Sequence, residues 1–181
     1  MNLVFYQIYR FRNCTNYSLR LKLVNALVLS KLDYCLIASM GVSKELDLKL
    51  QRIINRCVRY VVGLPWDSRI TEARRNLNWL SLSDRRHFYA LSLLYQISNT
   101  GEPSYLSSLF IEPQSSRILR HNQRTKLFTI PFVKTDQFKN SFVIKTIRLW
   151  NALPEEIVNS STIQIFKNKI RQYLFNSQFP S

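Results

Sequence analysis

Apolar residues along this chain fall mostly at helical spacing. Between about 18 and 38, Leu19, Leu23, Val24, Leu27, Val28, Leu32, Cys35 and Leu36 recur with further apolar residues between them. A helix apolar on nearly all sides is expected to be buried on nearly all sides, and Gly41 is expected to end it. The apolar run 23–40 is interrupted by Lys31 and Asp33, so it reads as a core helix rather than a membrane span. The segment 44–62 has a different character. Leu46, Leu50, Ile53, Ile54, Cys57, Val58 and Val61 follow i, i+3, i+4 spacing and predict one apolar face. Lys49, Arg52, Arg56 and Arg59, at steps of three and four, form a basic stripe roughly opposite it. Gly63 followed by Pro65 is a stop signal.

Asp67 or Ser68 is placed to cap a short helix through Leu77 carrying Arg69, Arg74 and Arg75. Ser83 reads as the next N-cap and Asp84 suits the positive helix end, predicting a helix over 84–98 that buries Phe88, Leu91, Leu94, Tyr95 and Ile97. The stretch 112–136 is the least regular and holds a basic loop with Arg117, Arg120, Arg124 and Lys126. Residues 127–133 are β-like, but Pro131 confines them to an edge or an extended connection. Asp136 is expected to cap a helix over 137–151 with Phe138, Phe142, Ile147 and Trp150 inward. Pro154 forces a turn, and 160–162 cap a last helix over 162–175, with Ile163, Phe166, Ile170, Tyr173 and Leu174 inward. The expected fold is mainly α: a helical bundle followed by a helical C-terminal extension, with at most a minor β-hairpin. It divides into segments 1–65, 66–111 and 112–181.

With 181 residues, 46% of them hydrophobic, the chain can bury a core. Charge changes the picture more. There are 26 Lys and Arg against 11 Asp and Glu, a net charge of +15, which points to a polyanionic partner. Only Gly41, Gly63 and Gly101 occur, too far apart for a phosphate-cradling loop or a dinucleotide fingerprint. Cys14, Cys35 and Cys57 form no C-x-x-C, and His87 and His121 stand alone, so no zinc site is expected. Three cysteines in a chain this long fit a reducing compartment, nucleus or cytoplasm. Cys35 and Cys57, among aliphatic residues, are expected to be buried. The start of the chain carries Arg10, Arg12 and Arg20 and no acid before Asp33, as a transit peptide would, but the helix from Ser18 reads as part of the fold.

Catalytic constellations are not apparent. The five aspartates are dispersed, no Asp-Asp pair exists, and Glu155-Glu156 suit a helix N-terminus. No nucleophile motif accompanies the two histidines. The chain is therefore expected to be no enzyme by itself and to hold no cofactor. Lys49, Arg52, Arg56 and Arg59, with Arg117, Arg120, Arg124 and Lys126, are the candidate phosphate contacts; the plain alternative is a solvated face. Trp66, Trp79 and Trp150 are expected in the core rather than as base-stacking platforms.

Ordered landmarks carry a resemblance. They are Leu32-Asp33-Tyr34-Cys35, then Leu50-Gln51-Arg52-Ile53-Ile54-Asn55-Arg56 running into Gly63-Leu64. Leu77-Asn78-Trp79-Leu80-Ser81-Leu82 with Arg85-Arg86 follows, then Gly101-Glu102-Pro103-Ser104-Tyr105-Leu106. Asn140-Ser141-Phe142, Leu149-Trp150-Asn151-Ala152-Leu153-Pro154 and Phe166-Lys167-Asn168-Lys169 with Tyr173-Leu174 complete the series. In this order they resemble the C-terminal end of the polymerase polyprotein of non-long-terminal-repeat (LINE-like, jockey-type) retrotransposons, over about 19–175. The resemblance implies a thumb and post-thumb region of an RNA-directed DNA polymerase, which helps hold the template–primer duplex. The family's Asp-Asp metal motif, which binds Mg, belongs to a palm that this chain does not contain. The expectation is a non-catalytic region that binds an RNA or DNA duplex without regard to sequence and that partners the palm and fingers of the parent polymerase, with no membrane role. The alternative is a protein-interaction module, or an inert relic, whose apolar face once packed on that palm.

Overall fold

A computed structural model of the chain describes residues 2–113 and 127–179. It is mainly helical, as the apolar spacing predicts, and there is no strand among the described residues. Two compact units are present: the chain through Arg85 together with the segment from Phe175, and the chain from Arg86 to Leu174.

The first unit opens with a helix the sequence analysis did not anticipate, α1 (Asn2–Arg10). Ile8 is buried, and its carbonyl accepts the Tyr60 hydroxyl at 3.0 Å. The expected helix 18–38 is three consecutive pieces: α2 (Tyr17–Val24), a π-turn (Asn25–Leu29) and α3 (Ser30–Tyr34). Asn16 caps α2 by accepting from the Leu19 amide. Val24, Val28, Leu32 and Leu36, four residues apart, are buried. In a straight α-helix a spacing of four drifts by about 40° per step; the wider π-turn offsets that drift between Val24 and Leu32. The expectation of all-round burial fails here. Leu19 is 45% exposed and Leu27 39%, because the core takes one stripe and leaves the other apolar positions outside. Cys35 is likewise exposed, since the helix ends before it rather than at Gly41.

Helix α4 (Lys44–Val62) has the predicted bounds. Ser43 caps it through the Leu46 amide, Glu45 and Asp47 occupy its first turn, and Ile54, Cys57, Val58, Tyr60 and Val61 are buried. Leu46, expected inside, is 44% exposed. Gly63, at φ 86°, sends its amide and that of Leu64 to the Arg59 carbonyl and ends the helix. Helix α5 (Thr71–Asn76) starts later than predicted and is not capped by Asp67 or Ser68. It ends on Asn78, at φ 53°, with the Trp79 amide bonded back to the Arg74 carbonyl. Trp79 and Leu80 are then driven into the core. Helix α6 (Leu82–Thr100) is capped by Ser81, not Ser83: the Asp84 amide donates to Ser81 Oγ at 3.2 Å. Its other free amides find side chains, Ser81 N–H to Gln178 Oε1 at 2.7 Å and Leu82 N–H to Gln51 Oε1 at 3.0 Å.

The second unit continues with α7 (Ser104–Ser107), α8 (Asp136–Lys139), α9 (Phe142–Asn151), α10 (Glu155–Val158) and, as far as Leu174, α11 (Ile163–Gln178). The helix expected over 137–151 is thus broken at Asn140 and Ser141, and Thr135 rather than Asp136 supplies the cap, accepting from the Phe138 amide. Residues 127–134 are a connection without regular secondary structure, tied by the Thr129 amide to the Ile111 carbonyl at 2.8 Å. Asn151 brackets Phe128 like a strand partner: its amide nitrogen donates to the Phe128 carbonyl at 2.8 Å and its oxygen accepts the Phe128 N–H at 3.1 Å. The core is a relay of rings. Tyr95 stacks on Phe166 at 4.4 Å, Phe166 meets Trp150 at 5.8 Å, and Trp150 meets Phe128 at 5.9 Å.

Candidate nucleic-acid interface

The basic stripe lies on α4, whose opposite face is fixed in the core by Ile54, Cys57, Val58 and Val61. Burial pushes the Cys57 thiol up to about 12, with Arg85 drawing it slightly back. It is a packing residue with no nucleophilic role at neutral pH.

The four cations of the stripe differ in their engagements. Lys49 forms an i, i+4 ion pair with Glu45 at 2.7 Å. Arg52 and Arg56 are exposed, and no carboxylate among the described residues pairs with either. Arg59 is half-buried and reaches past the helix end, donating from Nη2 to the Ser68 carbonyl at 3.1 Å. Arg12 acts from the other side, with Nη2 donating to the Leu64 carbonyl at 3.4 Å and Nη1 to the Tyr9 hydroxyl at 3.2 Å. The loop after Gly63 is therefore held by two guanidinium groups. Arg20 donates to the Tyr60 carbonyl at 3.1 Å, near the negative end of α4.

These anchors shape a cleft of about 420 Å³ lined by Arg12, Arg52, Arg56 and Arg59. Its aromatic walls are Phe5 and Tyr9 from α1, Tyr60 from α4 and Trp66 from the loop. Phe5 and Tyr60 meet edge-on at 5.9 Å, and Tyr9 lies 6.3 Å from Tyr60. Asn55 and Leu64 complete the lining; Asn55 Oδ1 accepts from Gln51 at 2.8 Å, which leaves its amide donors for an occupant. No carboxylate lines the cleft. Four guanidinium groups around one concavity favour an anion, and the rings beside them favour a planar apolar group.

Of the candidate contacts, Arg52, Arg56 and Arg59 thus share one cleft, while Lys49 is not among its lining residues. Arg117, Arg120, Arg124 and Lys126 lie outside the described residues. Trp79 and Trp150 are core residues, as expected, but Trp66 is 87% exposed and faces this site. Sequence reasoning missed Trp66, Arg12 and the aromatics of α1. The available signals were a tryptophan between Pro65 and Asp67, in turn-forming company, and Tyr9 and Arg12 three residues apart.

Among the described residues no three His, Cys, Asp or Glu side chains gather as a metal-holding group, and no helix is long and apolar enough to cross a membrane. No protein-family model matches the chain, and neither a curated protein nor a solved structure matches it.

Proposed function

We propose that this chain grips the phosphate backbone of a nucleic acid through the α4 face and its cleft, as the thumb-like region of a non-LTR retrotransposon polymerase would grip its template–primer. One observation carries the proposal: four arginines converge on a single cleft with no carboxylate to neutralise them. A helix fixed on its far side presents Arg52 and Arg56 without first ordering a loop, so little entropy is lost on binding. Contacts to phosphates position the ligand and carry no base information, so binding is indifferent to sequence. The chemistry of polymerisation belongs to the palm of the parent enzyme, and this chain contributes only the hold.

A salt titration of duplex binding tests the reading. Displacement of counterions makes log K fall linearly with log salt, by about 0.9 per phosphate contacted on B-DNA. A slope near zero contradicts it. The same measurement separates the protein-interaction reading, which the 89% exposure of Tyr34 and the 58% exposure of Leu48 favour; burial of apolar side chains is insensitive to moderate salt.

A further inference from the structure

The exposed indole of Trp66 has no use in a grip on duplex phosphates alone. In a duplex the base faces are stacked on one another and closed to a protein ring, whereas an unpaired base has a π-face to offer. The cleft places arginines for an anion beside rings for a planar group, and its volume of about 420 Å³ falls within the roughly 300–1,000 Å³ of clefts that take a small ligand.

The rings are not equivalent. Tyr60 is 1% exposed and Phe5 packs edge-on against it, so both serve as wall. The Arg12 guanidinium sits over the Tyr9 ring, 5.7 Å from its centroid. Among the described residues no guanidinium sits over the ring of Trp66, which is 87% exposed. Arg59 and Arg12 tie the flanking Ser68 and Leu64 carbonyls, which fixes the backbone on both sides of the indole.

We infer that the cleft holds one unpaired nucleotide of a single-stranded segment, its phosphate on Arg52 and Arg56 and its base stacked on Trp66. The inference rests on the phosphate-gripping reading and adds to it the class of ligand: a strand with an unpaired stretch, such as the overhang of a template–primer. Stacking against an indole is tolerant of base identity, so the site prefers unpaired over paired nucleotides without reading sequence.

The test uses the full chain and three kinds of fluorescently labelled probe at one low salt concentration: a blunt duplex, the same duplex with a four-nucleotide overhang at one end or the other, and the overhang duplexes with their unpaired nucleotides made abasic. The overhang is expected to bind more tightly than the blunt duplex by about 5- to 150-fold, the range for one base stacked on an aromatic ring. Trp66→Ala and the abasic overhang should each bring overhang and blunt duplex to the same affinity, whereas Trp66→Phe should retain part of the advantage. Trp66 is exposed, so Trp66→Ala is expected to keep its helicity, which circular dichroism checks. An overhang advantage that survives Trp66→Ala or the abasic replacement, or no advantage at all, overturns the inference while leaving the phosphate grip standing. Binding to none of the probes overturns both.

Discussion

Arginine at four positions around one cleft does two different jobs. Arg52 and Arg56 are the open cations, while Arg12 and Arg59 donate to loop carbonyls and hold Trp66 in place. A count of charges along α4 treats all its basic residues alike; the hydrogen bonds that divide them depend on where the loop after Gly63 returns. Cysteine shows the same dependence on context. Cys35 and Cys57 both sit among aliphatic residues, yet Cys57 is buried and Cys35 exposed, because α3 stops one residue short of Cys35. At pH 8, Cys14 and Cys35 should therefore react with a maleimide in the native protein, and Cys57 only after denaturation. Labelling of all three in the native state would contradict this. The Cys57 thiol, raised from 9.0 to about 12, keeps its proton in the folded protein while the unfolded chain releases one. Its contribution to stability is complete below pH 9 and is lost as pH rises from 9 towards 12, a fall that Cys57→Ala should reduce in denaturant titrations at successive pH values.

Element boundaries follow local chemistry where caps are strong and tertiary partners where they are weak. Helix α4 was legible end to end, since Ser43, the acidic first turn and Gly63 agree with its apolar period. Helix α6 has two serines within reach of its start, and Ser81 prevails over Ser83 because Gln51 and Gln178 receive the amides at that end. No short-range signal contains those glutamines. The break between α8 and α9 and the π-turn after α2 were also illegible, both being adjustments of a helical pattern to what it packs on. Asn151 gives this scale its prediction. It satisfies both backbone groups of Phe128, a residue only 5% exposed, so Asn151→Ala strands a buried donor and acceptor. A loss of about 1–3 kcal/mol is expected in chemical denaturation. A change within about 0.5 kcal/mol, the range of ordinary surface substitutions, would show that the clamp is dispensable.

At the scale of the molecule, the mainly helical class was legible from apolar spacing alone, and the basic face from the position of four residues on one helix. The cleft was not, because its walls come from α1, α4 and the loop at Trp66, up to 61 positions apart from Phe5 to Trp66. Charge explains why such a site is tolerable. A chain carrying +15 is relieved of self-repulsion beside a polyanion, and the proposed grip places that relief at an arginine cluster without acids. The central claim is thus that Arg52 and Arg56 meet phosphates. Replacing both by glutamine removes two charges and preserves helix propensity. Measured as log K against log salt on a B-DNA duplex, the double variant should bind more weakly at low salt, with a slope shallower by about 1.8, the sum of two contacts. Unchanged affinity and slope, with helicity intact, would contradict the account and leave the stripe on α4 a solvated face.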